Sequence, residues 1–95
     1  MKTSFIYILS NKNRTVLYTG VTANLSKRMQ YHLAGKGSRF CKSYNVRDLI
    51  YFETFTDIRD AIAREKQIKG WRREKKMLLI KGKNPDMKNL LDNLK

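Results

Sequence analysis

The chain has very little of what builds most familiar active sites. It holds one histidine, His32, and one cysteine, Cys41. A lone thiol closes no internal disulfide, so nothing calls for an oxidising compartment. Zinc-ligand spacing, a Ser/His/Asp set, a phosphate-cradling glycine loop and a dinucleotide fingerprint are all missing from the sequence. The one proline, Pro85, sits in Gly82-Lys83-Asn84-Pro85-Asp86 and reads as a turn. No apolar run approaches the ~20 residues a spanning helix needs. Met1-Lys2-Thr3-Ser4 leads into Phe5-Ile6-Tyr7-Ile8-Leu9, basic then apolar as in a signal peptide. That run is too short, and it passes into Ser10-Asn11-Lys12-Asn13 with no small-residue cleavage site, so it reads as a first strand. A cytoplasmic location is the expectation. Acidic side chains are also scarce, at 8 against 21 Lys and Arg, for a net charge of +13.

That charge attracts polyanions and speeds their encounter, so nucleic acid is the expected partner. Membrane surfaces are not, because no helix joins a basic face to a broad, aromatic-rich apolar one. The 95 residues, 41% hydrophobic, suit one domain over 1–95 with a modest core.

Phe5–Leu9 and Val16–Val21 are β-branched and aromatic, and the polar Asn11–Arg14 between them marks a hairpin. Leu25, Met29 and Leu33 define a helix ended by Gly35 and Gly37. Ser38–Val46 reads as an irregular basic connection. Leu49–Phe55 is a third strand, apolar enough to be central or covered on both faces. Thr56-Asp57 caps a helix running to about Gly70. Further helices are expected over Arg73–Ile80 and, after Pro85, over Met87–Leu94. The fold class is α+β: a small, mainly antiparallel three-stranded sheet in the order β-β-α-β-α-α-α, flanked by helices.

With a four-residue loop, Ser10 pairs with Thr15, Leu9 with Val16 and Tyr7 with Tyr18, which puts both phenols on one face. Such a pair serves packing or chemistry. Gly20, inside a strand, marks a bulge or a close approach by another backbone or a ligand. Arg28 and His32, four apart on the first helix, can face one phosphate: the guanidinium offers a fork of donors, the imidazole a donor or a proton shuttle. The alternative is a solvated arginine and an edge histidine.

Glu65 stands out most. On the Asp57–Gly70 helix, Ile58, Ala61, Ile62 and Ile68 define an inward stripe, and Glu65 falls within it. A carboxylate there must be paired, protonated or metal-bound. Arg28, Lys69 or Arg72 could supply the pair. As a metal ligand, a single carboxylate completed by waters suits Mg²⁺ or Mn²⁺. Lys36, Lys42, Arg64, Lys69, Arg72 and Arg73 form a basic surface for phosphates, with Tyr44 and Trp71 available for base stacking; Trp71 also suits the core beside the third strand.

Phe5-Ile6-Tyr7 followed by Tyr18-Thr19-Gly20 resembles the paired signature of the GIY-YIG nuclease superfamily. Val21 to His32, Ala63-Arg64-Glu65-Lys66-Gln67-Ile68-Lys69-Gly70-Trp71, Lys75–Ile80 and Asn84-Pro85 continue the resemblance, which is to compact, stand-alone members. Phe5 and Thr19 replace the signature's first glycine and second isoleucine, and neither position supplies chemistry. The resemblance implies a metal-dependent endonuclease that hydrolyses phosphodiester bonds in DNA, including branched or damaged DNA in repair or recombination. Tyr7 and Tyr18 would position and help deprotonate the attacking water. Arg28, assisted by His32, would bind the scissile phosphate, and Glu65 would hold a single Mg²⁺ or Mn²⁺. Asn84, and less so Asn89, matches a polar residue the family often adds late. Stand-alone members lack the extra DNA-binding domain of larger relatives. The competing reading is a binding module, for DNA or RNA, that keeps the fold and cuts nothing.

Overall fold

The computed structural model describes residues 3–91. Strands β1 (Ser4–Ser10) and β2 (Leu17–Thr22) form the hairpin. Helices α1 (Leu25–Leu33) and α2 (Arg39–Ser43) follow, then β3 (Asp48–Phe55), α3 (Ile58–Lys69) and α4 (Arg73–Lys83). The sheet is antiparallel throughout, in the order β2-β1-β3. The α+β class with a three-stranded sheet is as expected, but the helices fall differently.

The segment expected to be irregular contains α2. Ser38 caps it by accepting from the Cys41 N–H at 3.2 Å, a signal obscured by the absence of periodicity in so short a helix. The helix expected over Met87–Leu94 is not formed through Met87–Leu90, where Met87 takes a positive φ of 50°; its last residues, 92–94, lie outside the described part.

β1, not β3, is central. Its continuous apolar run is what a strand covered on both faces requires. Ile6 and Ile8 join Ala61, Ile68 and Ile80 beneath α3 and α4, whereas Tyr7 and Leu9 join Leu25, Met29, Cys41 and Val46 beneath α1 and α2. A bulge in β3 opposite Ile8 and Leu9 turns Ile50 and Tyr51 toward the first of these clusters and leaves Leu49 in the second. The exposed edge of β3 is occupied by the C-terminal segment: Leu90 N–H donates to the Leu49 carbonyl (2.6 Å), and Leu49 N–H donates to Asn89 Oδ1 (3.2 Å).

The hairpin register differs by two from expectation: Leu9 opposes Tyr18, Tyr7 opposes Gly20 and Ser10 opposes Leu17. The loop is longer because Asn11 Oδ1 accepts from both Thr15 N–H (2.9 Å) and Val16 N–H (3.0 Å), holding those residues out of the ladder. Arg14, at φ 59°, anchors it to Asp48 (2.7 Å) and the Met87 carbonyl (2.9 Å). An even shift preserves the face, so both tyrosines still project on the same side. Among the described residues, no helix is long and apolar enough to cross a membrane.

Candidate active site

Three aromatic rings gather on the α1 face of the hairpin. Thr22 Oγ1 accepts from the Asn24 N–H (3.1 Å), and Asn24 Oδ1 accepts from the Lys27 N–H (3.0 Å), so α1 starts directly off the end of β2. Its inward residues are Leu25, Met29 and His32, while Leu33, expected in the stripe, is 49% exposed. The His32 ring therefore meets Tyr7 and Tyr18 edge-on, each at 6.2 Å between centroids.

Two glycines make room for this cluster. A Cβ at Gly20 would lie 3.0 Å from Tyr7 Cε1 and closer still to Cζ and the hydroxyl oxygen. The close approach expected at Gly20 is thus made by the Tyr7 ring, for which Gly20 is the seat. A Cβ at Gly37 would come within 2.8 Å of His32 Cε1.

The electrostatics follow from burial. Tyr7 is buried, and desolvation, helped by Tyr18 and opposed by Arg28, pushes its phenol up to about 12. Burial, then the Arg28 charge, lowers His32 from the ordinary value of 6.5, so the imidazole is neutral at pH 7. Both His32 ring nitrogens are buried with no hydrogen-bond partner among the described residues. A buried donor–acceptor pair without a protein partner is met by a water, an ion or a substrate group. Arg28 is exposed and opens onto a cleft of about 480 Å³ lined by Thr22, Ala23, Asn24, Lys27 and Tyr31. Lys27 and Tyr31 were not singled out from sequence, although they share a helical face with Arg28.

Glu65 lies on the inward line Ala61, Glu65, Ile68, at i, i+4 and i+7, with its side chain 15% exposed. The stripe is narrower than expected, because Ile58 and Ile62 face solvent. Glu65 pairs with Lys69 at 3.3 Å, one of the partners foreseen. α3 packs its stripe on the sheet that carries both tyrosines, against the face opposite the Tyr7 ring. The carboxylate is still near enough to contribute, as the smallest influence, to the rise at Tyr7.

Several expected phosphate contacts are committed elsewhere. Arg64 forks onto Glu53 (3.0 and 3.1 Å), donates to Gln67 (2.8 Å) and lies over Trp71, which is half-buried against the core. Arg73 donates to the Arg14 and Thr15 carbonyls (2.6 and 3.0 Å), clamping the hairpin loop. Asn84, the accessory candidate, is buried. Its Nδ2 donates to the Ile50 and Lys88 carbonyls (2.9 and 2.8 Å), and its Oδ1 accepts from the Lys88 N–H (3.1 Å). Asn89 braces β3 in the same way. These structural roles were not read from the sequence, because a polar side chain's intramolecular partner is invisible there. Lys36, Lys42 and Arg72 are exposed and make no ion pair among the described residues.

A hairpin carrying two phenols, an arginine on the following helix and a carboxylate on the helix after the third strand make up the arrangement of a GIY-YIG domain. The model of the GIY-YIG catalytic domain matches residues 3–78, and the chain belongs to this family. The relatives it resembles over nearly their whole length are UPF0213 proteins. The one from Syntrophus aciditrophicus is 39% identical over 87 residues, covering 90% of this chain and 98% of that protein. The one from Clostridium perfringens is 40% identical over 81 residues, covering 85% and 86%. The UPF0213 protein of Bacillus halodurans, solved by solution NMR, superposes with a TM-score of 0.59 at 28% identity, covering 92% of each chain.

Proposed function

We propose that the protein is a divalent-metal-dependent endonuclease that hydrolyses phosphodiester bonds in DNA, with branched or damaged DNA in cytoplasmic repair or recombination as its setting. The observation that carries this reading is His32: a neutral imidazole, both nitrogens without a partner among the described residues, held between two phenols beside an exposed arginine. Arg28 binds the scissile phosphate through charge-assisted hydrogen bonds. Tyr7 remains protonated at neutral pH, so it orients the attacking water instead of acting as a phenolate base. His32, neutral and edge-on to both phenols, keeps the assisting part that the resemblance implies, packed behind the hydroxyls that position the water.

Glu65 is the residue that would hold the metal. Among the described residues no three His, Cys, Asp or Glu side chains form a cluster, which suits a hard cation that keeps most of its waters and not zinc. The partly exposed carboxylate fits that requirement, with Lys69 as the charge to be displaced. When bound, the ion would stabilise the charge developing on the phosphate and the leaving oxygen. The existing Glu65–Lys69 pair is also what favours the second reading, a DNA- or RNA-binding module without cleavage.

The discriminating experiment incubates wild type and Glu65→Ala with supercoiled plasmid and branched oligonucleotides, in Mg²⁺ or Mn²⁺. Cutting by wild type alone, with DNA binding retained by both, is expected. Equal cutting by both assigns the activity to another site, and no cutting by either leaves the binding module.

A further inference from the structure

Beyond the phenols, the site face of β2 continues into an aromatic platform. Tyr18, Gly20 and Thr22 alternate onto one face and together span roughly 13 Å. At the Thr22 end lies the Arg28 cleft; over Gly20 lies the Tyr7 ring; at the Tyr18 end the side chain stacks on Phe40 of α2, at 6.1 Å and 27°. Phe40 in turn meets Tyr44 at 4.9 Å. This ladder is not a buried packing motif: Phe40 is 43% exposed and Tyr44 55%. Arg39 and Lys42, also exposed, flank the rings on the same short helix. Exposed aromatic side chains beside exposed cations are what unpaired bases and their phosphates require, whereas the base faces of an intact duplex are hidden in its own stack.

We propose that Phe40 and Tyr44 form a stacking subsite for unpaired bases, so that the strand entering the site is single-stranded next to the linkage at Arg28. The inference rests on the phosphodiester reading above for the position of that linkage, and it narrows the substrate class to nucleic acid with an unpaired segment. Stacking does not engage the sugar hydroxyl, so deoxyribose and ribose strands both qualify.

The test is fluorescence polarisation in EDTA, where nothing is cut. The labelled probes are an oligothymidine, an oligouridine, an abasic deoxyribose strand of the same length and a blunt duplex. Wild type should bind at least one base-bearing strand about tenfold or more tightly than the abasic one, as base–aromatic stacking predicts. Phe40→Ala/Tyr44→Ala should lose that preference while keeping abasic and duplex binding, and Phe40→Trp should retain it. Tyr44→Ala alone, at an exposed helix end, serves as the second variant should the double one fail to fold. A wild type that binds abasic and base-bearing strands equally overturns the inference, as does a folded variant that keeps the preference or loses abasic binding to the same extent. If the preference holds but no strand is cut in metal, only the endonuclease reading falls. If cutting persists without the preference, only the platform falls.

Discussion

Gly20→Ala isolates the contact on which the site's geometry turns. The added methyl group would lie 3.0 Å from Tyr7 Cε1 and closer to Cζ and the hydroxyl. Tyr7 is 2% exposed among Leu25 and Met29 and has little room to retreat. Overpacking of this kind costs about 1–3 kcal/mol. Gly20 is not among the residues with positive φ, so alanine also recovers about 0.4–1 kcal/mol by restricting the unfolded chain. The net loss is roughly 1–2 kcal/mol, or a fall in Tm of about 5–15 °C for a domain of this size. A hydroxyl displaced by even ~1 Å can reduce turnover by about a hundredfold. Thermal unfolding by circular dichroism and single-turnover cleavage read the two effects. In a Tyr7→Ala background the collision partner is gone, so the same substitution should cost nothing further. Unchanged stability and cleavage in Gly20→Ala, or equal costs in both backgrounds, would refute this account of the glycine.

Gly37→Ala crowds His32 in the same way and should lower Tm by a similar amount, measured by the same melt. His32 sets a pH dependence. Its folded pKa lies below 6.5, so the unfolded state binds the extra proton first, and the stability it lends, complete above 6.5, declines as pH falls from there toward the lowered native value. Denaturant titrations across that interval should show the decline in wild type and not in His32→Phe. Asn84→Ala strips partners from the buried Ile50 carbonyl and from Lys88 and should cost about 1–3 kcal/mol, with nucleic-acid affinity unchanged. Arg64→Met takes the guanidinium from Glu53, which accepts from the Tyr51 hydroxyl; it should destabilise the fold, read by chemical denaturation, more than it weakens binding.

The elements with strong periodicity were legible. Asp57 as the cap of α3, the Arg73 start of α4 and the turn at Pro85 stand where the residues indicate. Tyr7, Tyr18, Arg28 and Glu65 were also legible as candidates, because a phenol pair in a hairpin and a carboxylate on an apolar stripe are local patterns. The remainder depends on contacts between distant residues. Asn11's side chain lengthened the loop and moved Tyr7 from Tyr18 to Gly20. Asn84 and Arg73 each reach a partner more than thirty positions away, Ile50 and Arg14. Gly37 has no sequence signal as the seat of His32, since the two meet only after α1 ends. Phe40 and Tyr44 share the i, i+4 spacing of a helix too short to register as periodic.

Manganese titration of the labelled protein, followed by amide-resonance broadening, reaches the proposed metal site most directly. Broadening should centre on the turn of α3 around Glu65 and extend to the β1–β2 residues near Tyr7 and Gly20, and Glu65→Gln should abolish it. Broadening centred instead on the acidic residues at Asp57 and Asp60 or at Asp86, or left intact in Glu65→Gln, would contradict a metal-dependent site built on this carboxylate.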